Sequence, residues 1–165
     1  MDDLTILETV DIFSGLNSAQ IKSIHSVATT KEYEPGETIF AENSPSDEIY
    51  ILMDGAVEIK IDPNIVSDTT EDVAPVTIAK LFPGQSFGEI ALVDQGIRSA
   101  TAKATLNGCR VLIIEREAFM QLLQGDLEMG YNVITNIAAD LCFKIRNLNI
   151  KMREALLYGS KLMDQ

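Results

Sequence analysis

The sequence contains no tryptophan, one histidine (His25) and two cysteines (Cys109 and Cys142) in 165 residues. A zinc site or a cupin-type enzyme centre needs several clustered ligands, so a single histidine argues against a metal or other cofactor. Both cysteines stand among apolar residues, which predicts two buried, reduced thiols and no disulfide. The sequence also shows no set of nucleophile, base and orienting residue of the kind that nucleophilic catalysis needs. The sequence therefore favours a protein that is not an enzyme.

Long apolar runs and positive charge are also scarce. A membrane-spanning helix needs about 18 or more consecutive apolar residues, and the chain has no such run. The start Met1-Asp2-Asp3 is acidic and unlike a secretory signal, so we expect a cytoplasmic protein. Asp and Glu number 25 against 13 Lys and Arg, a formal net charge of −12. Such a charge opposes contact with DNA or an anionic membrane, so neither is expected as a partner.

Turn-forming residues punctuate the middle of the chain from about residue 31. Between them lie short runs rich in β-branched and aromatic residues, at 37–40, 48–53, 56–61, 76–82, 99–106 and 109–114. Asp54-Gly55 and Asn107-Gly108 separate neighbouring runs, and such pairs favour two-residue hairpin turns. Short strands at this spacing predict a β-barrel or jelly roll. The polar, acidic segment 63–75 is interpreted as a solvated loop.

Helical periodicity precedes this region. Residues 17–28 carry apolar residues at helical spacing, and Asn17 with Gln20 predicts a capped start. A small helix is expected within residues 6–16, ending at Gly15.

Two charged residues stand nine positions apart in the most informative segment. Residues 87–102 read Phe-Gly-Glu-Ile-Ala-Leu-Val-Asp-Gln-Gly-Ile-Arg-Ser-Ala-Thr-Ala. Glu89 is an acceptor that could bridge sugar hydroxyls, and the planar cation of Arg98 suits a phosphate. Gly88 lets the backbone approach a ligand, and the N–H groups near Ser99 and Ala100 could complete an anion nest. The alternative is a surface ion pair between the two charges, which would contribute little.

This segment resembles the phosphate-binding cassette of the cyclic nucleotide-binding domain family. That family includes bacterial catabolite activator proteins, regulatory subunits of cAMP-dependent kinase and cyclic-nucleotide-gated channels. Further matches are Glu34-Pro35-Gly36-Glu37, Tyr50 to Val57, and Leu112-Ile113 with Phe119. One departure is Asn43, where the family usually has Gly; Asn tolerates a left-handed backbone, so we expect the turn to survive. The resemblance implies a mainly β fold, an eight-stranded β-roll (double-stranded jelly roll) with N-terminal helices and a long C-terminal helix.

The resemblance also implies a site. Arg98 would neutralise the cyclic phosphate, and Glu89 would accept from the ribose 2′-hydroxyl. A helical turn over residues 89–92 would face the anion, and Ser99 does not decide between cAMP and cGMP as the ligand. Leu81, Ile90 and Leu92 either line the pocket or pack in the core. The expected ligand-binding set is Gly88, Glu89, Ile90, Ala91, Leu92, Arg98, Ser99 and Ala100.

The C-terminal segment predicts one long helix. Apolar residues recur in a heptad pattern at Leu127, Tyr131, Ile134, Ala138, Leu141, Ile145, Leu148, Met152 and Ala155. We expect residues 1–126 to form the β-roll with its N-terminal helices, and residues 127–165 to form a lid and a homodimer contact. The alternative is that this stripe packs on the protein's own core. Lys144 and Asn147 are candidates for contacting the base, or are solvated helix residues.

The combined interpretation is a non-enzymatic cyclic nucleotide sensor, with cAMP ahead of cGMP. Ligand binding would move the helices after the barrel, around Gly125 and Asp126. About seven residues follow position 158, too few for a helix-turn-helix, so the output would pass to an unidentified effector protein or through dimer geometry. The alternative is a degenerate, nucleotide-free, dimeric interaction module.

Overall fold

The structure is a computed structural model that describes residues 2–45, 47–65, 74–94 and 96–163. Of the segment expected to be a solvated loop, Pro63–Ile65 forms a 3₁₀ turn, and residues 66–73 lie outside the described residues. Within the described part, no helix is both long enough and apolar enough to cross a membrane.

The N-terminal helices are α1 (Asp3–Leu7), a 3₁₀ turn (Asp11–Phe13) and α2 (Ser18–Ser26). The capping box of α2 is confirmed, because the Asn17 side chain accepts from two backbone N–H groups and the Gln20 side chain accepts from the Asn17 N–H. The small helix predicted within 6–16 is corrected. It starts earlier, at Asp3, and the chain then tightens into a separate 3₁₀ turn, because apolar side chains at this spacing can follow either geometry.

Within the described residues, six strands form one antiparallel sheet, in the order β1-β6-β3-β4, with β2 on β6 and β5 on β3. Their bounds are β1 (Ala28–Tyr33), β2 (Thr38–Phe40), β3 (Glu48–Ile61), β4 (Val76–Leu81), β5 (Ser86–Phe87) and β6 (Thr101–Glu115). The helices that follow are α3 (Ile90–Asp94) between β5 and β6, then α4 (Arg116–Gly125) and α5 (Leu127–Met163). The mainly β fold with flanking helices is confirmed.

The two hairpins expected at Asp54-Gly55 and Asn107-Gly108 are wrong. Both pairs lie inside continuous strands, β3 and β6, and Gly55 lies opposite Cys109 where the register shifts. A Cβ on Gly55 would lie 2.3 Å from the Gly108 carbonyl oxygen, and both glycines have positive φ. A hairpin turn would also require positive φ at these positions. Here the positive φ occurs at an irregularity between two long, closely packed strands.

The core divides into two clusters of buried apolar residues. One lies inside the roll, between the strands. The other joins the N-terminal helices, α4 and one face of α5 to the back of the sheet. That face of α5 comprises Met129, Val133 and Ile137, whereas the heptad residues Tyr131 and Leu148 are exposed.

The expectation for the cysteines needs one correction. Cys109 is buried in β6, and burial raises the pKa of its thiol to about 11. Cys142 is exposed on α5, although its neighbour Leu141 packs against the core.

Candidate functional site

Arg98 is held by the backbone of the turn at Asn43 and Ser44. Its N–H donates to the Ser44 carbonyl (2.9 Å), and its own carbonyl accepts from the Asn43 N–H (2.8 Å). Asn43 has φ of +64°, which confirms the expected left-handed backbone at the position where the family usually has Gly. Asn43, a polar residue that tolerates this conformation, thus helps to position Arg98, the residue expected to bind the phosphate.

The guanidinium of Arg98 lies under the cassette and is only 4% exposed. Nη2 donates to the Glu48 carbonyl at 3.0 Å and lies 3.8 Å from the Glu48 carboxylate. Its Cζ lies 4.2 Å from the centroid of the Phe40 ring and 5.3 Å from that of Tyr50, so the aromatic faces also stabilise the cation. The Tyr50 hydroxyl in turn donates to the Glu48 carboxylate.

Burial is the main electrostatic influence on Arg98. It lowers the pKa of the guanidinium, against the opposing effects of Tyr50, Glu48 and Asp47. Arginine nevertheless stays protonated in proteins. The buried Nε–H of Arg98 has no acceptor among the described residues. A buried cation with an unsatisfied donor costs free energy, and an anion brought close to it would recover part of that cost.

Glu89 directly precedes α3 and is also buried, at 4% exposure. The expected helical turn over residues 89–92 is confirmed in position by α3, which begins at Ile90. The Glu89 carboxylate accepts from the ammonium of Lys144 on α5, with Nζ–Oε1 at 2.8 Å. The same ammonium lies 2.7 Å from Asp140, one turn earlier on α5.

The pKa of Lys144 reflects opposing effects. Burial lowers it, but the attraction of Glu89 together with that of Asp140 outweighs the burial and raises the pKa above its ordinary value. The lysine is therefore charged at neutral pH. In the described residues Glu89 pairs with Lys144 and Arg98 with Glu48, so the alternative of a surface ion pair between Glu89 and Arg98 does not describe this site.

Gly88 brings the backbone against the arginine. Its φ is +73°, and its carbonyl accepts from Arg98 Nη1 at 3.3 Å. A Cβ at this position would lie 2.6 Å from the same nitrogen and 3.2 Å from the Tyr50 ring. Only glycine leaves room for the arginine where it now lies.

The other predicted ligand residues fall into different environments. Leu92 is buried in the helical core cluster and Leu81 in the cluster inside the roll, which favours core packing over pocket lining for both. Ile90 is 38% exposed on α3. Ser99 is exposed and Ala100 is buried, directly after Arg98. For Ala91, only its backbone position in α3 is described.

Lys144 and Asn147 lie on the part of α5 that passes the cassette. Lys144 reaches Glu89, as described above, and Asn147 is partly buried one turn further along the helix. Whether either contacts a base stays a prediction.

Sequence reasoning missed four side chains near the site. Phe40, Glu48 and Tyr50 contact Arg98, and Asp140 pairs with Lys144, the partner of Glu89. Glu48 and Tyr50 are two apart on β3 and therefore share a face of the sheet, a signal that could have found them together. Phe40 comes from a distant strand, and its contact with Arg98 has no local signature. Among the described residues, no group of three or more His, Cys, Asp or Glu side chains could hold a metal ion.

The chain belongs to the cyclic nucleotide-binding domain family, whose sequence model matches residues 30–126. It is 29% identical over 118 residues to the cAMP-dependent protein kinase type II regulatory subunit of Drosophila melanogaster, covering 72% of this chain and 29% of that protein. It is 30% identical over 125 residues to a cGMP-dependent protein kinase of Caenorhabditis elegans, covering 76% of this chain and 15% of that protein. The chain thus spans less than a third of either relative.

The fold agrees with this assignment. The crystal structure of Thermus thermophilus catabolite activator protein matches with a TM-score of 0.71 and 27% identity, over 87% of this chain and 62% of that chain. The β-roll is therefore confirmed, and the chain is a cyclic nucleotide-binding domain homologous to cAMP and cGMP sensors.

Proposed function

We propose that this chain is a non-enzymatic sensor of a cyclic nucleotide, with Arg98 binding the cyclic phosphate and Glu89 binding the ribose 2′-hydroxyl. One observation carries the proposal: a permanent cation and a carboxylate are both buried beside the same short loop, although each costs free energy there. Gly88 has room for no side chain, and Arg98 retains an unsatisfied Nε–H, both of which suit a site that receives an anion.

The preferred ligand in this proposal is cAMP, with cGMP second. A likeness to a CRP-like cAMP-activated global transcriptional regulator of Mycobacterium tuberculosis, 26% identical over 136 residues, supports cAMP, whereas the kinase relatives are named for cAMP in one case and cGMP in the other. Ser99 is exposed beside the cassette, where a hydroxyl could reach a phosphate or a guanine amino group, so it favours neither base.

Residues 127–165 would act as lid and dimer contact, distinct from the roll at 1–126. One face of α5 shares the core of the N-terminal helices, and its exposed stripe supports the dimer contact. Met129, Val133 and Ile137 pack on the core, whereas the heptad side chains of Leu127, Tyr131, Ile145 and Leu148 are between 58% and 80% exposed. A second copy of this helix would cover that stripe in a parallel homodimer. The effector protein that reads the dimer and the cytoplasmic location remain predictions.

Calorimetric titration with cAMP and with cGMP tests the proposal, after any co-purified nucleotide has been removed by unfolding and refolding. We expect one nucleotide to bind, and Arg98→Ala to weaken it by about 2–4 kcal/mol, as for losing charge-assisted hydrogen bonds to a phosphate. Arg153→Ala, an exposed position on α5, is the charge-matched control and should bind as the wild type does.

A nucleotide-free interaction module is the second candidate. It is favoured by one observation, that Glu89 and Arg98 already have internal partners in Lys144 and Glu48. Absence of heat with both nucleotides from folded protein would favour this module and contradict the sensor.

A further inference from the structure

We propose that Lys144 is a latch: its ammonium occupies the Glu89 carboxylate when no nucleotide is bound, and the ribose of a bound nucleotide displaces it. This inference rests on the proposed function, because it concerns how the same site is regulated. Lys144 on α5 and the ribose of the nucleotide would then compete for the Glu89 carboxylate.

The direct contact between helix and cassette carries the proposal. Lys144 Nζ lies 2.8 Å from Glu89 Oε1, so the two groups touch with nothing between them. A nucleotide that lies between the cassette and α5, with its ribose on Glu89, needs the space that the lysine side chain crosses. The two occupants therefore exclude each other. A ribose hydroxyl would replace an ammonium ion as the partner of a buried carboxylate.

Asp140 makes the displacement feasible. It lies four residues before Lys144 on the same helix, and its carboxylate is 2.7 Å from the ammonium. When Lys144 leaves Glu89, this neighbour can keep the ammonium paired on the surface of the helix, where such pairs are stable. The lysine side chain is 42% exposed, against 5% for that of Glu89, so it can turn outward without crossing the core.

The contacts of α5 show what the latch would control. Asn136 donates to the carbonyls of Ile12 and Ser14, and Lys151 donates to the Ile78 carbonyl on β4. Lys144 lies between these two attachments. Its release would remove the ion pair between α5 and Glu89 while the contacts of Asn136 and Lys151 remain, so α5 could settle over the bound nucleotide as the lid.

The first test compares Lys144→Met with Arg153→Met, at an exposed position on α5, in calorimetric titrations with cAMP and cGMP. Both variants remove one positive charge from α5, and only the first removes the latch. We expect Lys144→Met to bind the nucleotide about three- to tenfold more tightly than the wild type, as for loss of a partly buried ion pair. Arg153→Met should stay near the wild type. Equal or weaker binding by Lys144→Met would overturn the latch.

The second test needs no variant of the latch. Acetylation of the wild type, read by mass spectrometry, reports the accessibility of Lys144, with the exposed Lys22 on α2 as internal reference. Release of Lys144 predicts faster acetylation of its side chain at saturating nucleotide, and a slower or unchanged rate contradicts it.

Failure of the sensor and failure of the latch can be told apart. If the wild type binds neither nucleotide, the sensor and the latch both fail. If it binds with dependence on Arg98 but Lys144→Met is unchanged, only the latch fails.

Discussion

A Cβ atom on Gly88 would lie 2.6 Å from Nη1 of Arg98, so the end of the arginine side chain would have to shift. The loop backbone and the guanidinium therefore fit together only because position 88 has no side chain. The Gly88 carbonyl also accepts a hydrogen bond from that nitrogen, so the glycine both admits the arginine and holds it. The backbone conformation at Gly88 and the position of the Arg98 guanidinium therefore depend on each other.

Gly88→Ala should damage both stability and ligand binding. The positive φ and the displaced guanidinium together should lower the free energy of unfolding by about 1–3 kcal/mol. Binding of the nucleotide should weaken by tenfold or more, because Arg98 must move. Gly15→Ala is the matched control: Gly15 also has positive φ, but a Cβ there meets nothing within 4 Å. Chemical denaturation and calorimetry measure the two effects, and equal binding by both variants would contradict the role of Gly88.

Glu48→Gln should strengthen nucleotide binding. The Glu48 carboxylate lies 3.8 Å from Arg98 Nη2 and competes with a phosphate for the cation. Glutamine keeps an acceptor for the Tyr50 hydroxyl but carries no charge. The carboxylate is partly exposed, so we expect an effect of about 1 kcal/mol, roughly fivefold in affinity. Glu58→Gln on the same strand is the charge-matched control, and it should change the affinity less. Weaker binding by Glu48→Gln would show that Glu48 supports the arginine instead.

Asp126→Asn should remove part of the stability at neutral pH. The Gln20 side chain and the Met129 N–H donate to the Asp126 carboxylate at the start of α5, and these bonds lower its pKa. A carboxyl whose pKa is lower in the folded state stabilises the fold above its ordinary pKa, and this contribution is lost as the pH falls through the folded value.

The wild type should therefore unfold at a higher temperature than Asp126→Asn at pH 7. This difference should shrink as the pH falls below about 4, the ordinary pKa of aspartate. Thermal unfolding at several pH values measures it. A difference that does not depend on pH would mean that the charge of Asp126 plays no part.

Leu148→Glu should abolish the predicted homodimer. Leu148 belongs to the heptad stripe and is 60% exposed, so a charge there would be buried only if a second copy covers the stripe. Ile150→Glu is the control, because Ile150 is similarly exposed, at 53%, but lies off the stripe. Light scattering should give a dimer for the wild type and the control, and a monomer for Leu148→Glu. A monomeric wild type would contradict the prediction directly.

Local sequence determined those features that depend on neighbouring residues. The capping box needs only Asn17 and Gln20, three positions apart in one helix turn. The left-handed backbone of Asn43 depends on the conformational tolerance of one residue. The candidate cassette could be proposed for the same reason, since Gly88, Glu89 and Arg98 lie within one short segment of the chain.

Only the tertiary structure decided which distant groups meet. The sequence pattern of Asp54-Gly55 is equally compatible with a hairpin and with an irregularity in a long strand. The Gly108 carbonyl approaching from β6 selected the second, since no side chain fits between them. Phe40 and Glu48 surround Arg98 because three separate segments converge there. Lys144 meets Glu89 across 55 positions of sequence, because the packing of Val133 and Ile137 on the core directs α5 past the cassette.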